Sequence, residues 1–209
     1  MIRLLLVRHG QTAWSAERRY QGSTDVPLND TGLQQATVLG RHFSGQKIDA
    51  IYSSNLLRAL QTAAAIGETT GVAIVPEPRF RETSFGLWEG KTYSELQTQW
   101  AEHLTAWRLD PMTNTPPGGE SLAQLLERAG DGIEDIARKH HDETVMIVAH
   151  GGVLRAVICY ALGLPSAAFW RIELGSASIS ELHLYGDTTT ISLLNDRHIL
   201  GNMAAEQTN

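Results

Sequence analysis

Two apolar runs, Ile2-Arg3-Leu4-Leu5-Leu6-Val7 and Val145-Met146-Ile147-Val148-Ala149, each lead into a histidine followed by glycine: Arg8-His9-Gly10 in the first, His150-Gly151-Gly152 in the second. An apolar, partly β-branched run that closes on glycine reads as a buried strand entering a turn. In open α/β sheets, chemistry gathers outside the carboxyl ends of the strands. Two histidines that each stand one step past a buried strand are therefore expected on the same rim, with Arg8 beside them.

The segments between these runs supply the covering layers. Asn29-Asp30-Thr31 offers capping residues, after which Leu33, Ala36, Leu39 and Phe43 recur at helical spacing. Asp49–Ser53 reads as a second strand, Leu56–Glu68 as a helix, and Val72–Val75 as a third strand stopped by Pro76 and Pro78. This alternation predicts an α/β fold, a three-layer sandwich with a mainly parallel central sheet and helices on both faces. The middle of the chain departs from that rhythm. A single helix is expected from about Thr92 to Trp107, with Leu96, Trp100, Leu104 and Trp107 on one face, followed by a Pro-, Thr- and Gly-rich stretch. Residues 84–120 are read as a lid-like insertion in one domain spanning 1–209, too short for a core of its own. Helices over Ser121–His141 and about Gly152–Leu162 follow, then two β-rich stretches at Ala177–Tyr185 and Thr188–Leu194, and a tail from Gly201 expected to fray.

Composition narrows the function. At 209 residues and 42% hydrophobic content the chain can bury a substantial core. A net charge of −6 argues against nucleic acid or an anionic membrane as partner, so any anionic substrate needs a local positive patch. The lone Cys159, inside an apolar run, reads as a buried inert thiol. No stretch approaches membrane-spanning length, and the N-terminal apolar patch is too short for a signal peptide, so a cytoplasmic location is expected. The sequon at Asn29 carries little weight in that setting. A homodimer is compatible with the sequence.

Three segments place polar groups just past a strand: Arg8 and His9; Ser53, Ser54 and Arg58; and His150. Arg58 falls in the first turn of its helix, near the positive end of the helix dipole. Two arginines, two histidines and a helix start around one crevice describe a site for a phosphate-sized dianion, which the planar guanidinium fork suits. His140 and His141 read as a solvated helix end, and Trp100 and Trp107 as packing. No HExxH, CxxC or clustered carboxylate spacing suggests a metal, and neither a P-loop nor a dinucleotide fingerprint occurs.

Arg8-His9-Gly10-Gln11-Thr12, Gln21-Gly22, Asp25 and Pro27-Leu28 resemble the opening signature of the histidine phosphatase superfamily, the phosphoglycerate-mutase-like fold. The resemblance continues through Tyr52-Ser53-Ser54, Leu57-Arg58-Ala59, Thr62, Arg81-Glu82, Phe85-Gly86 and Trp88-Glu89-Gly90. Pro117–Ser121, Ala149–Gly152 and Leu194-Asn195-Asp196 extend it over nearly the whole chain. One residue departs from the pattern: Trp14 is followed by Ser15, where the family usually has asparagine.

The resemblance implies that His9 is the nucleophile, phosphorylated on nitrogen. Arg8, Arg58 and His150 would hold the phosphoryl oxygens, and Glu82 would be the proton donor. Ser15, Gln21, Gly22 and Gly151 are further expected substrate contacts. The chemistry is coherent. A neutral imidazole attacks without first losing a proton, and fixed donors meet the phosphoryl charge, so neither a metal nor a cofactor is expected. A basic alkoxide leaving group does need a proton. Relatives that act as bisphosphate-dependent mutases carry a longer insertion before the second histidine, whereas 67 residues lie between Glu82 and His150 here. The expectation is a metal-independent phosphatase for a small phosphorylated metabolite, resembling the short-lid α-ribazole-phosphate and broad-specificity enzymes. Phosphoglycerate mutase is the alternative. A non-catalytic phospho-ligand or protein-binding module on the same fold is the rival from another class.

Overall fold

The computed structural model describes residues 1–186 and 188–207. Six strands form one sheet: β1 (Ile2–Arg8), β2 (Ala50–Ser53), β3 (Ile74–Pro76), β4 (Thr144–Ala149), β5 (Ile179–Tyr185) and β6 (Thr188–Asp196), in the order β3-β2-β4-β1-β5-β6. β3, β2, β4 and β1 run parallel, and β5 is antiparallel to both of its neighbours, β1 and β6. The sheet is therefore mainly parallel, as the alternation predicts, with an antiparallel hairpin closing one edge.

Both faces of the central strands are apolar, and consecutive residues serve opposite layers. Leu4, Leu6, Val145 and Ile147 face the helices α6 (Leu122–Lys139) and α7 (Gly151–Ala161). Leu5, Val7, Met146 and Val148 face α2 (Asp30–Phe43) and α3 (Leu57–Thr70). The helix after β1 thus lies on one face and the helix after β4 on the other, although β1 and β4 are neighbours. Their connections part at this point and leave a crevice beyond the carboxyl ends of the two strands, where α/β sheets bind ligands.

Three sequence expectations change in detail. Pro76 does not stop β3; it is the last residue of the strand, paired with Ser53. That is tolerated because β3 is an edge strand, where a missing N–H costs no ladder bond. The helix expected over Thr92–Trp107 is two helices, α4 (Tyr93–Gln99) and α5 (Ala101–Leu109), broken at Trp100 with φ −137° and ψ 31°. The break lets both helices contribute to one cluster, Leu96 from the first and Leu104 and Trp107 from the second, packed with Trp88. The chain end does not trail off at Gly201 but forms two short 3₁₀ pieces within His198–Gln207, kinked at Gly201 (φ 53°, ψ −128°), with Leu200 buried against the α2–α3 layer. The rest of the tail expected to fray, Thr208 and Asn209, lies outside the described residues. A four-residue helix, α1 (Ala13–Ala16), follows the first strand and its loop. Among the described residues no helix is long and apolar enough to cross a membrane.

Candidate active site

Arg8 at the end of β1 pairs in register with Ala149 at the end of β4, so the next residues, His9 and His150, leave the sheet side by side. The two rings meet edge to face with centroids 5.0 Å apart, and both are buried. His9 Nδ1 lies 2.7 Å from the Gly10 carbonyl oxygen. A carbonyl can only accept, so Nδ1 carries the proton and Nε2 keeps its lone pair. Burial, then Arg58 and Arg8, push the His9 pKa well below the ordinary histidine range, partly opposed by that carbonyl bond. The ring is neutral at neutral pH, with Nε2 as its unprotonated nitrogen.

His150 is the opposite tautomer. Arg58 Nε donates to His150 Nδ1 (3.1 Å), so Nε2 carries the proton and donates to Ser54 Oγ (2.8 Å). Both of its nitrogens are thus engaged by the protein. Arg58, fully buried in the first turn of α3, also donates to the carbonyls of Thr24 (2.8 Å) and Gly22 (2.7 Å). Those carbonyls face inward because Glu89 holds their loop: its carboxylate accepts from the amides of Ser23 (2.9 Å) and Thr24 (3.0 Å), from the Thr24 hydroxyl, and from the Phe85 amide (3.1 Å). Gly22 is required here, since its φ is +54° and a Cβ would collide with the Glu89 carboxylate. Glu89 therefore positions Arg58 through the loop. Glu89→Ala should raise the inhibition constant for vanadate by about 10–100-fold, the scale of lost charge-assisted bonds, while Glu89→Gln, which keeps one acceptor oxygen, stays closer to wild type. Unchanged vanadate inhibition in both variants would remove this role.

Arg8 donates to the Leu174 carbonyl, but its Nε is buried without a hydrogen-bond partner among the described residues. Burial pushes its pKa down to about 10, offset in part by Glu82, so it stays charged at neutral pH. An orphaned buried donor costs about 1–3 kcal/mol, which an anion bound beside Gly151 would recover.

Glu82 lies across the crevice at the start of α7. Its Oε2 accepts from the Gly152 amide (3.0 Å), and its Oε1 from the amides of Val153 (3.2 Å) and Thr83 (2.9 Å). Among the described residues no ion pair holds it; the neighbouring Arg79 is taken by Glu77 and Asp135. Arg128 on α6 fixes the backbone of this segment by donating to the carbonyls of Arg79 (2.6 Å), Arg81 (2.8 Å) and Glu82 (3.2 Å).

A cavity of about 670 Å³ opens over Arg8, Glu82 and Gly151. His9, Arg58 and His150 do not line it, being buried at its edge. Its outer wall is aromatic, made by Tyr20, Phe85, Tyr93, Trp107, Phe169 and Trp170. The structure thus gathers Arg8, His9, Arg58, Glu82, His150 and Gly151 around one crevice. Ser15 and Gln21 hydrogen-bond within their own loop. Ser15 closes a capping box with Thr12 on α1, and Gln21 Oε1 accepts from the Thr12 hydroxyl (2.7 Å). Sequence reasoning missed Arg128, the aromatic wall and Arg155 as part of the site; Glu89 enters the sequence only as a motif residue.

The two depressed histidines carry a stability consequence. Unfolded histidines take up protons below about pH 6.5. His9 and His150 resist doing so when folded, each disfavoured first by burial and then by Arg58. Their contribution is therefore intact above the unfolded pKa and declines as pH falls below it, by up to about 1.4 kcal/mol per pH unit per histidine. Denaturant unfolding should show stability dropping between pH 6.5 and 5, with a shallower slope in His9→Ala; a flat profile in the wild type would contradict the burial of neutral rings.

Residues 4–197 match the sequence profile of the Histidine phosphatase superfamily (branch 1). Phosphoserine phosphatase 1 of Hydrogenobacter thermophilus is 34% identical over 206 residues, covering 99% of this chain and 98% of that protein. Phosphoglycerate mutase-like protein 4 of Arabidopsis thaliana is 37% identical over 200 residues, 92% of this chain and 84% of that protein. Among solved structures, a mycobacterial glucosyl-3-phosphoglycerate phosphatase in complex with VO3 superposes with a TM-score of 0.86 at 31% identity, covering 93% of this chain and 99% of that one. With the profile match spanning most of the chain and the fold shared, the protein belongs to the histidine phosphatase superfamily.

Proposed function

We propose that the protein hydrolyses small phosphate monoesters in two steps through a phosphohistidine on His9, without a metal. The tautomer of His9 carries this reading. Its Nδ1 proton is committed to the Gly10 carbonyl, which leaves Nε2 as the nucleophile. As Nε2 attacks phosphorus, the bond to the leaving oxygen breaks and Glu82, in its protonated form, supplies the proton that oxygen needs. Water then attacks phosphohistidine, the same carboxylate takes its proton, and inorganic phosphate leaves with Nε2 restored. Arg8 and Arg58 supply fixed positive charge where a metal ion would otherwise be needed. Bound phosphoryl charge also favours protonation of His150. Its Nδ1 could then turn from accepting Arg58 to donating, freeing Arg58 Nε for the same anion.

Residues 84–120 supply Phe85, Tyr93, Trp107 and Arg108 to the cavity wall, which supports reading them as a lid within a single domain. The relatives named as phosphatases favour hydrolysis over mutase chemistry, and the 67-residue interval between Glu82 and His150 fits a cover short enough to admit water. A metabolite substrate and a lone buried Cys159 suit a cytoplasmic enzyme.

Turnover of p-nitrophenyl phosphate and of a panel of phosphorylated metabolites, with chelator present, tests this. Release of inorganic phosphate that chelator leaves unaffected is expected. Chelator-sensitive turnover would contradict the metal-free mechanism, conversion of 3-phosphoglycerate to 2-phosphoglycerate would favour a mutase, and binding without turnover would favour a non-catalytic module.

A further inference from the structure

Leu194-Asn195-Asp196, at the end of β6, belongs to the family resemblance but has no part in the site described so far. The strand is irregular at this point. Ile179 pairs with Asp196 and Glu181 with Leu193, so two residues, Leu194 and Asn195, stand opposite the single Ser180. Such a bulge re-aims a side chain out of the regular alternation. Asn195 has a φ of 54°, a left-handed conformation that asparagine tolerates far better than branched or bulky residues do. Its backbone N–H donates to the Ser180 hydroxyl (3.0 Å), and its side-chain Oδ1 accepts from the Gly175 amide (2.7 Å).

That amide belongs to a peptide group on which the site depends. The N–H of Gly175 and the carbonyl of Leu174 are the two ends of one planar unit and point in opposite directions. The carbonyl accepts from Arg8 Nη1, and among the described residues it is the only acceptor that the Arg8 side chain meets. Asn195, the Leu174–Gly175 peptide and Arg8 thus form one hydrogen-bonded row, in which each bond polarises the next. Other groups fix the rest of the segment. The Ser178 amide closes a turn onto the Gly175 carbonyl (3.1 Å), the Ala177 amide donates to the His9 carbonyl (3.0 Å), and Arg197 Nε donates to the Ser176 carbonyl (3.1 Å). These bonds hold residues 176–178 against the end of β1 but leave the orientation of the Leu174–Gly175 peptide to Asn195.

We propose that Asn195 is a positioning residue for phosphoryl binding, setting through the Leu174–Gly175 peptide the direction in which the Arg8 guanidinium meets the anion. This rests on the phosphatase reading and adds to it a residue from the far end of the chain. The residue type follows from the two demands on it. Asparagine takes the left-handed bulge conformation and carries the acceptor; glycine offers the first without the second.

The experiment is a double-mutant cycle read by calorimetric vanadate affinity, which needs no turnover and does not depend on the fraction of folded protein. Asn195→Gly keeps the bulge backbone and removes the acceptor, so vanadate should bind about 5–20-fold more weakly, the scale of one such hydrogen bond. Asn195→Asp keeps an acceptor oxygen and should recover part of that loss. In an Arg8→Ala background, which leaves Arg58 to bind the anion, Asn195→Gly should change the affinity by less than about twofold, because the group it positions is gone. Wild-type affinity in Asn195→Gly, or an equal loss with and without Arg8, would overturn the proposal. A wild type that binds vanadate but releases no phosphate from p-nitrophenyl phosphate would instead sink the phosphatase reading, while the same cycle still decides whether Asn195 acts through Arg8.

Discussion

Replacing His9 with alanine should abolish turnover, by about 10⁵-fold or more, the scale on which enzymes lose rate when a covalent nucleophile is removed. Phosphate and vanadate should still bind, because Arg8 and Arg58 are anchored independently of that ring: Arg58 by the Gly22 and Thr24 carbonyls, and Arg8 by Leu174. Steady-state rates and vanadate inhibition measured on the same preparation check both parts. Residual turnover within about tenfold of wild type would mean that water attacks the substrate directly and that His9 is only a wall of the pocket.

Glu82→Gln should have the second largest effect, and its signature is selectivity among leaving groups. Alkyl phosphates such as phosphoserine release a basic alkoxide and should slow by roughly 10²–10⁴-fold, the usual contribution of a general acid. p-Nitrophenolate is a weak base and leaves unaided, so phosphorylation of the enzyme by p-nitrophenyl phosphate should suffer far less. Single-turnover kinetics of that first step are needed, because loss of the base that deprotonates water can slow dephosphorylation for both substrates. The geometry adds a complication. Both Glu82 oxygens accept amides at the start of α7, and a side-chain amide can accept on one side only. If the variant loses phosphorylation rate equally with both substrates, Glu82 serves to hold the α7 N-terminus and the leaving-group proton has another source.

The rim was legible in the sequence because its determinants are local. A strand apolar on both faces, followed at once by histidine and glycine, occurs twice, and the structure places those strands next to each other in register. Arg58 was legible for a related reason, since it begins a helix just past the end of β2. The antiparallel run of β5 was not, because a β-rich stretch does not encode the direction in which it joins an existing sheet. The break at Trp100 also escaped periodicity: Leu96, Leu104 and Trp107 fit one continuous stripe, and their packing around Trp88 is a contact between elements that spacing does not encode. Arg155 and Arg128 looked like ordinary helix arginines. What distinguishes them is tertiary: a place on the cavity wall beside Phe169 for one, and three carbonyls of the Glu82 segment for the other. Ser15 is the converse case: it stands where the family's motif has asparagine, and its hydroxyl is used by a capping box with Thr12.

Rapid acid-free quenching of the wild type with ³²P-labelled substrate, followed by mapping of the labelled peptide, tests the central claim most directly. A phosphoramidate is acid-labile and base-stable, and the fixed tautomer of His9 puts the phosphorus on Nε2. The label should therefore survive alkali, be lost in acid, and map to His9 in a species that NMR identifies as the Nε2 phosphoryl isomer. A label that survives acid but not alkali, one on His150, or the absence of any phosphoenzyme while turnover proceeds would contradict it.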